Sequence, residues 1–188
     1  MDLKTHVLVL SSGGIDSTGT IKFYQNLDCN VESLFVDFGQ MATKKEFTAS
    51  QKIAQYYNIH YEKISVIFPR KMFGDGLITG RNLFLLSTAL MSFKYASGII
   101  AIGIHTGTNY YDCSKAFIEK ANTLIKKYTD NNISLGSPFL TFNKLEIFNF
   151  CKKNKVPLEL TYSCELGLEQ PCGQCVTCSD LKRLYETK

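Results

Sequence analysis

The apolar run His6 to Leu10 passes without a break into Ser11-Ser12-Gly13-Gly14-Ile15-Asp16-Ser17, after which residues 17 to 26 take up helical spacing. A change of period from two to 3.6 across a pair of glycines marks a strand, a tight turn and a helix. Val31 to Asp37 reads as a second strand, followed by Phe38-Gly39-Gln40, so the first forty residues form a βαβ unit. Strands joined through a helix lie parallel, and a parallel sheet needs cover on both faces. The rest of the chain keeps this rhythm. A helix is predicted from about Ala42 to Tyr57 and a strand from Tyr61 to Ile67. After a loop holding Gly74, Gly76 and Gly80 come an apolar helix from about Leu83, read as buried, a strand over Ile99 to Gly103 and a helix from Ser114 to about Tyr128. A short strand over Ile133 to Leu135 precedes a helix over Lys144 to Lys153, N-capped by Asn143, and Pro157 marks the exit. The predicted fold class is α/β, a Rossmann-like parallel sheet with helices on both faces. In 188 residues, 45% of them hydrophobic, one core is expected rather than two. Residues 1–158 are therefore assigned to an α/β domain and residues 159–188 to a small segment packed on it.

The loop follows the first strand at its carboxyl end, where open α/β sheets hold their ligands. Gly13 and Gly14 let the backbone take positive φ and approach a ligand closely, and the free N–H groups of the following helix favour an anion. Ser11, Ser12 and Ser17 add hydroxyl donors. A bare glycine pair is equally well explained by an ordinary turn capped by Asp16 or Ser17; the whole Ser-Gly-Gly-x-Asp-Ser string points to phosphate. It is neither a Walker A loop nor the Gly-x-Gly-x-x-Gly of dinucleotide folds.

Of seven cysteines, Cys29, Cys113 and Cys151 are scattered, while Cys164, Cys172, Cys175 and Cys178 fall within fifteen positions. Such clustering in a reducing compartment argues for metal rather than disulfides. Four thiolates close a tetrahedral Zn²⁺ shell, and closed shells are structural. An iron–sulfur cluster is the alternative, since Cys-x2-Cys-x2-Cys is part of a ferredoxin run, although here the fourth cysteine lies upstream and the usual Cys-Pro is missing. Ligand softness and geometry favour zinc, which would pin the tail to the body.

The net charge of +4 is spread over separate lysine pairs, which suits phosphate ligands and gives no tract for nucleic acid. Leu83 to Ala96 is too short and too interrupted to span a bilayer, so no membrane partner is expected. The N-terminus runs straight into strand without the pattern of a secretory leader, so a cytoplasmic location is expected.

The loop resembles the PP-loop of ATP pyrophosphatases, the group that includes GMP synthetase, NAD synthetase and the tRNA lysidine and thiolation enzymes. Further strings agree in order along nearly the whole chain: Asp37-Phe38-Gly39-Gln40, Gly80-Arg81-Asn82-Leu83-Phe84-Leu85, Tyr111-Asp112-Cys113 with Phe117, Ser137-Pro138-Phe139, Asn143-Lys144-Leu145-Glu146-Ile147, and Thr161-Tyr162-Ser163-Cys164 leading to Cys172-Gly173-Gln174-Cys175. Together with the cysteine quartet they make the chain similar to the 7-cyano-7-deazaguanine synthase (QueC) family. The resemblance implies an adenine nucleotide alpha hydrolase-like fold and an ATP-dependent ligase or synthase that adenylates 7-carboxy-7-deazaguanine. Ammonia then attacks to give the amide and finally the nitrile, in queuosine biosynthesis, with release of AMP and pyrophosphate.

What the resemblance implies for residues is as follows. The loop from Ser11 to Ser17, including Ile15, would cradle the pyrophosphate, and Asp16 would be a ligand of Mg²⁺. Arg81 and Lys144 match the family's basic positions, with solvated surface charge as their bland reading. Gln40 and Asn82 would hydrogen-bond ATP, or else cap their own turns. Asp112, with Tyr110 or Tyr111 stacking nearby, would take the deazaguanine base, or else be a helix cap beside two core aromatics.

The chain departs from the family pattern on the presumed substrate side. Ile78-Thr79 replaces Val-Pro before Gly-Arg-Asn, and Ile104 to Ser114 replaces Asp-x-Ser-Gly-Tyr-Pro-Asp-Cys-Arg, bringing in His105 as a candidate for acid–base work, substrate contact or plain packing. A competing reading therefore couples the activated carboxylate to another amine, such as a protein amine in antiviral defence. A non-catalytic zinc-stabilised nucleotide module is a third reading. tRNA thiolation ranks below these, because no basic appended domain is present to hold tRNA. The family resemblance allows a homodimer without requiring one.

Overall fold

In the computed structural model, which describes residues 4–66, 68 and 77–186, strands and helices alternate as the sequence leads one to expect. The elements are β1 (His6–Leu10), α1 (Ile15–Asn26), β2 (Asn30–Asp37), α2 (Thr43–Tyr57), β3 (His60–Ser65), α3 (Arg81–Ser92), β4 (Gly98–Ile102), α4 (Lys115–Tyr128), β5 (Ile133–Gly136), α5 (Lys144–Lys153) and α6 (Val176–Glu186). All five strands lie in one parallel sheet in the order β3-β2-β1-β4-β5. The expected end of β3 at Ile67 and the glycines Gly74 and Gly76 lie outside the described residues.

Alternation along β1 shows why both faces must be covered. Val7 and Val9 pack with Ile21 of α1 and Ile53 of α2 on one side, whereas Leu8 and Leu10 pack with Leu86 of α3 and Phe117 and Ile125 of α4 on the other. A period of two on a strand apolar at every position thus feeds two separate cores. A third cluster joins Ile15 of α1 to Ile147, Phe148 and Cys151 of α5 and reaches Leu184 of α6. The C-terminal helix is thereby seated on the α/β body.

One expectation is corrected, and one helix is added. The apolar α3 is not a buried helix: Asn82, Leu86 and Ala89 are its buried residues, and Met91 is 90% exposed. A helix lying on one sheet face buries one stripe, and the run Leu83 to Met91 has more apolar residues than that stripe holds. The helix α6 was not foreseen, because Val176 to Glu186 is short and mostly polar, with only Cys178 and Leu184 buried. By contrast Asn143 does cap α5, in a reciprocal box with Glu146: its side chain accepts from the Glu146 N–H at 2.9 Å, and the Glu146 carboxylate accepts from the Asn143 N–H at 2.7 Å. Asn143→Ala is expected to lower stability by about 1 kcal/mol, seen as a lower denaturant midpoint with an unchanged slope.

The strand order places the site. From β1 the chain moves outward to β2 and β3, then returns past β1 to β4 and β5, so the loops after β1 and β4 leave in opposite directions and open a crevice between them. At its floor a Cβ on Gly103 would stand 2.8 Å from the Asp16 carbonyl oxygen and 2.9 Å from the Ser17 nitrogen. A residue without a side chain at the end of β4 is what lets the start of α1 sit there.

Candidate functional site

The loop after β1 is held from below. Ser11 is buried, its N–H donates to the Leu34 carbonyl at 2.9 Å, and its hydroxyl lies 2.8 Å from that of Ser50 on α2. Gly13 has φ +76°, and a Cβ there would fall 2.7 Å from the Glu46 carbonyl oxygen and 2.9 Å from the Ser50 nitrogen. Gly14 is the extended residue before α1, no side chain caps that helix, and its first amides have no partner within it. Ser12 and Ser17 meet through their hydroxyls at 3.3 Å, and Ser17 also donates to the Gly14 carbonyl. Free amides and short hydroxyls at a helix start are groups suited to an anion, and Ile15 is buried behind them. Gly13→Ala is expected to cut nucleotide affinity at least about tenfold and to destabilise the fold by about 1–2 kcal/mol from the left-handed backbone alone, checked by calorimetric titration and thermal unfolding.

Asp16 stands in the first turn of α1 with both carboxylate oxygens against Lys144 Nζ, at 2.8 and 2.7 Å. His105, from the loop after β4, accepts from the Gly107 N–H through Nδ1 at 3.1 Å, which leaves Nε2 facing Asp16 at 4.0 Å. Burial holds the His105 imidazole below its ordinary pKa; Asp16 pulls it up, Lys144 pushes it down and Asp180 pulls it up again. Asp16, Lys144 and His105 therefore form one partly buried group beside the glycine loop, assembled from α1, α5 and the end of β4.

The second group lies at the α3 start. Asn82 is 2% exposed; its side-chain amide donates to the Asp112 carbonyl at 3.0 Å, and its backbone N–H donates to Asp112 Oδ2 at 3.2 Å. Asn82 and Asp112 thus satisfy one another, and Asp112 serves as a cap to α3 from across the chain. Gln40 is likewise engaged in its own turn: it accepts from the Phe38 N–H, and its amide donates to the Val36 carbonyl and to Glu46 Oε2. Burial raises the Glu46 pKa, while the Gln40 bond and the Arg81 charge work against that rise. Glu46 went unnoticed in the sequence, yet it ties the Gln40 turn electrostatically to Arg81. Tyr110 and Tyr111 are not core aromatics, being 37% and 60% exposed, and Tyr111 meets Phe117 edge to face. They are free to offer a face to a planar ligand.

The sulfur atoms of Cys164, Cys172, Cys175 and Cys178 all lie within 4.8 Å of one another. The surrounding amides suit thiolates: Cys172 N–H donates to Cys164 Sγ at 3.4 Å, and Gln174 and Cys175 N–H groups donate to Cys172 Sγ at 3.4 and 3.3 Å across a turn with Gly173 at φ +71°. Burial alone would raise the Cys164 thiol, but hydrogen bonds from the Cys172 and Leu166 amides and from the Cys172 and Tyr162 side chains together outweigh it and bring its pKa down to about 6. Cys178 goes the other way, pushed up to about 12 by burial and by neighbouring thiols. Four sulfurs this close, two of them supplied with N–H donors, fit a tetrahedral cation.

The family model described as "Queuosine biosynthesis protein QueC" matches residues 6–80 and 75–187, nearly the whole chain. The chain belongs to the QueC family. Among its relatives, 7-cyano-7-deazaguanine synthase of Prochlorococcus marinus strain MIT 9215 is 32% identical over 213 residues, covering 96% of this chain and 93% of the relative. Two solved structures share the fold. A predicted subunit of tRNA methyltransferase from Methanocaldococcus jannaschii superposes with a TM-score of 0.55 at 18% identity, over 79% of this chain and 76% of its own. The U34-tRNA thiolase NcsA from Methanococcus maripaludis, solved with its [4Fe-4S] cluster, gives 0.54 at 13%, over 97% and 65%. Within this QueC chain Asp16, next to the glycine loop, meets Lys144 and faces His105, whereas Asn82 and Gln40 spend their polar atoms on neighbouring protein groups. Among the described residues no helix is long and apolar enough to cross a membrane.

Proposed function

We propose that this QueC-family chain is an ATP-dependent synthase that converts 7-carboxy-7-deazaguanine and ammonia into 7-cyano-7-deazaguanine, with release of AMP and pyrophosphate. The observation that carries the reading is the crevice in which a phosphate-shaped loop meets the Asp16–Lys144 pair, in a chain similar from end to end to 7-cyano-7-deazaguanine synthases.

In the first round a carboxylate oxygen of the substrate attacks the α-phosphorus of ATP, and the bond to the β-phosphate breaks. The Gly13-Gly14 backbone and the start of α1 hold the departing pyrophosphate. Asp16 would hold Mg²⁺, which supplies charge neutralisation on the phosphates when bound. Lys144, displaced from Asp16 by the nucleotide, and Arg81 balance the phosphate charge. The ammonia lone pair then attacks the acyl carbon and AMP leaves, giving the amide. In the second round the amide oxygen attacks another ATP, and loss of AMP with the two N–H protons leaves the nitrile. Tyr110, Tyr111 and Asp112 form the wall assigned to the planar base. His105, its Nδ1 engaged by the Gly107 N–H, stands with Nε2 4.0 Å from Asp16, and burial holds it below its ordinary pKa, which favours a neutral ring beside that carboxylate. The quartet Cys164, Cys172, Cys175 and Cys178 is assigned to Zn²⁺ as a structural ion, in preference to an iron–sulfur cluster, because four thiolates close the shell.

Near full-length likeness to 7-cyano-7-deazaguanine synthases favours ammonia over another amine, such as a protein, as the acceptor. Mass spectrometry of products after incubation with ATP, Mg²⁺, 7-carboxy-7-deazaguanine and ammonia tests the proposal. A nitrile with AMP and pyrophosphate is expected; an amide that never proceeds, or no ATP turnover at all, sinks it.

A further inference from the structure

We propose that Ser163, presented by the metal-holding C-terminal segment, is a phosphate-binding residue of the nucleotide site, so that occupancy of the cysteine quartet sets nucleotide affinity as well as stability. This inference rests on the ATP reading above and adds to it a residue and a coupling.

The segment after Thr161 does not merely trail from the body. Tyr162 N–H donates to the Gly13 carbonyl at 2.9 Å, directly on the phosphate loop. One residue on, Ser163 Oγ stands 3.6 Å from where a Cβ on Gly14 would be, nearly as close as Ser12 Oγ at 3.4 Å. The two hydroxyls thus flank the same glycine. Ser12 already meets Ser17, whereas among the described residues the Ser163 hydroxyl has no hydrogen-bond partner. An unengaged donor beside a backbone that can accept an anion is suited to a phosphate oxygen, and bonds to a charged acceptor are the stronger kind.

What aims Ser163 is the cluster. Cys164 is the next residue, and the Ser163 carbonyl accepts from Thr177 Oγ1 at 2.5 Å. Thr177 sits between Cys175 and Cys178, and its hydroxyl also lies 3.3 Å from Cys175 Sγ. Further along, Gly167 at φ +66° packs so tightly on Met41 that a Cβ would fall 2.6 Å from its carbonyl oxygen. The segment therefore spans from the β1 loop to the β2 loop across the carboxyl end of the sheet. An ion drawing four sulfurs together would fix both ends of Ser163, its neighbour Cys164 and its partner Thr177.

The test is calorimetric titration of the full-length, metal-loaded protein with α,β-methylene ATP and Mg²⁺, an analogue that cannot be cleaved at the reacting bond. Ser163→Ala is expected to weaken binding about tenfold, the effect of losing one hydrogen bond to a charged group. Its metal content and thermal midpoint should match the parent, and Ser163→Thr, which keeps the hydroxyl, should bind like the parent. Metal-stripped protein, or Thr177→Val should stripping unfold the chain, is expected to bind at least as weakly as Ser163→Ala and to lose little more when the two changes are combined. A parent that binds alongside an equally tight Ser163→Ala overturns the Ser163 assignment and leaves the ATP reading standing. Stripped protein and Thr177→Val that both bind like the parent overturn the coupling. A parent that fails to bind the analogue overturns both readings together.

Discussion

Asp16→Ala is expected to lower substrate-dependent pyrophosphate release by about two to three orders of magnitude, the loss typical of removing one preorganised electrostatic contact from a reaction centre, with little change in thermal midpoint. The two halves of the expectation come from the same geometry. Asp16 binds Lys144 through both oxygens, and its neighbour His105 has one ring nitrogen already committed to Gly107. Removing the carboxylate takes away the assigned magnesium ligand and the group that orients Lys144 and His105. It leaves no stranded buried charge, because the Lys144 side chain retains 25% of its exposure and can turn to water. A partly exposed pair of this kind contributes at most about 1 kcal/mol to stability, and alanine is well tolerated within a helix. Pyrophosphate release measured beside thermal unfolding separates the cases: a near-parental rate removes Asp16 from the mechanism, and a collapsed midpoint would mean that the pair is structural.

The sequence made the sheet legible because parallel strands buried on both faces read as unbroken apolar runs. His6 to Leu10 is correct to the residue, and β4 is displaced by one from Ile99–Gly103 to Gly98–Ile102. Gly103 lies just past the strand, and what requires a glycine there is in no local pattern: a Cβ on it would meet the Asp16 backbone, eighty-seven positions earlier. The same limit governs the site. The glycine loop is contiguous, so its residues could be named from the string itself. The partner of Asp16 lies on α5, and only a folded sheet with its switch between β1 and β4 brings Lys144 across to it. For Gln40 and Asn82 the two readings available from sequence were ligand contact and local capping; both side chains spend their polar atoms on neighbouring protein groups. Glu46, and Ser163 in its proposed role, are not legible as site residues because each acts through the fold. The hint for Glu46 is its place six residues after Gln40, and for Ser163 its place just before the first cysteine of the quartet.

Metal removal should have the largest effect on stability. Cys164→Ser, or treatment with a strong chelator, is expected to lower the thermal midpoint by roughly 10–20 °C, taking a loss of several kcal/mol from a structural site and about 2–4 °C per kcal/mol for a chain of this size. The segment that holds the quartet has few apolar contacts with the body: among its described residues Leu160, Leu181 and Leu184 reach core clusters, Tyr185 meets Phe148 edge to face, and Tyr162 and Gly167 contribute backbone contacts. Without an ion, the four sulfurs within 4.8 Å of one another are joined only by the weak sulfur hydrogen bonds of this turn. An ion would take all four thiols as ligands and brace the segment whose Tyr162 N–H already donates to the Gly13 carbonyl. The control is Cys29→Ser, a half-buried cysteine far along the chain from the quartet, which should leave both midpoint and metal content unchanged. Elemental analysis then identifies the ion, one zinc per chain and a colourless protein being expected, and iron with inorganic sulfide replacing that assignment by a cluster. If Cys164→Ser keeps its metal and its midpoint, the quartet is not what anchors this segment, and the apolar seat of α6 on α5 must do so alone.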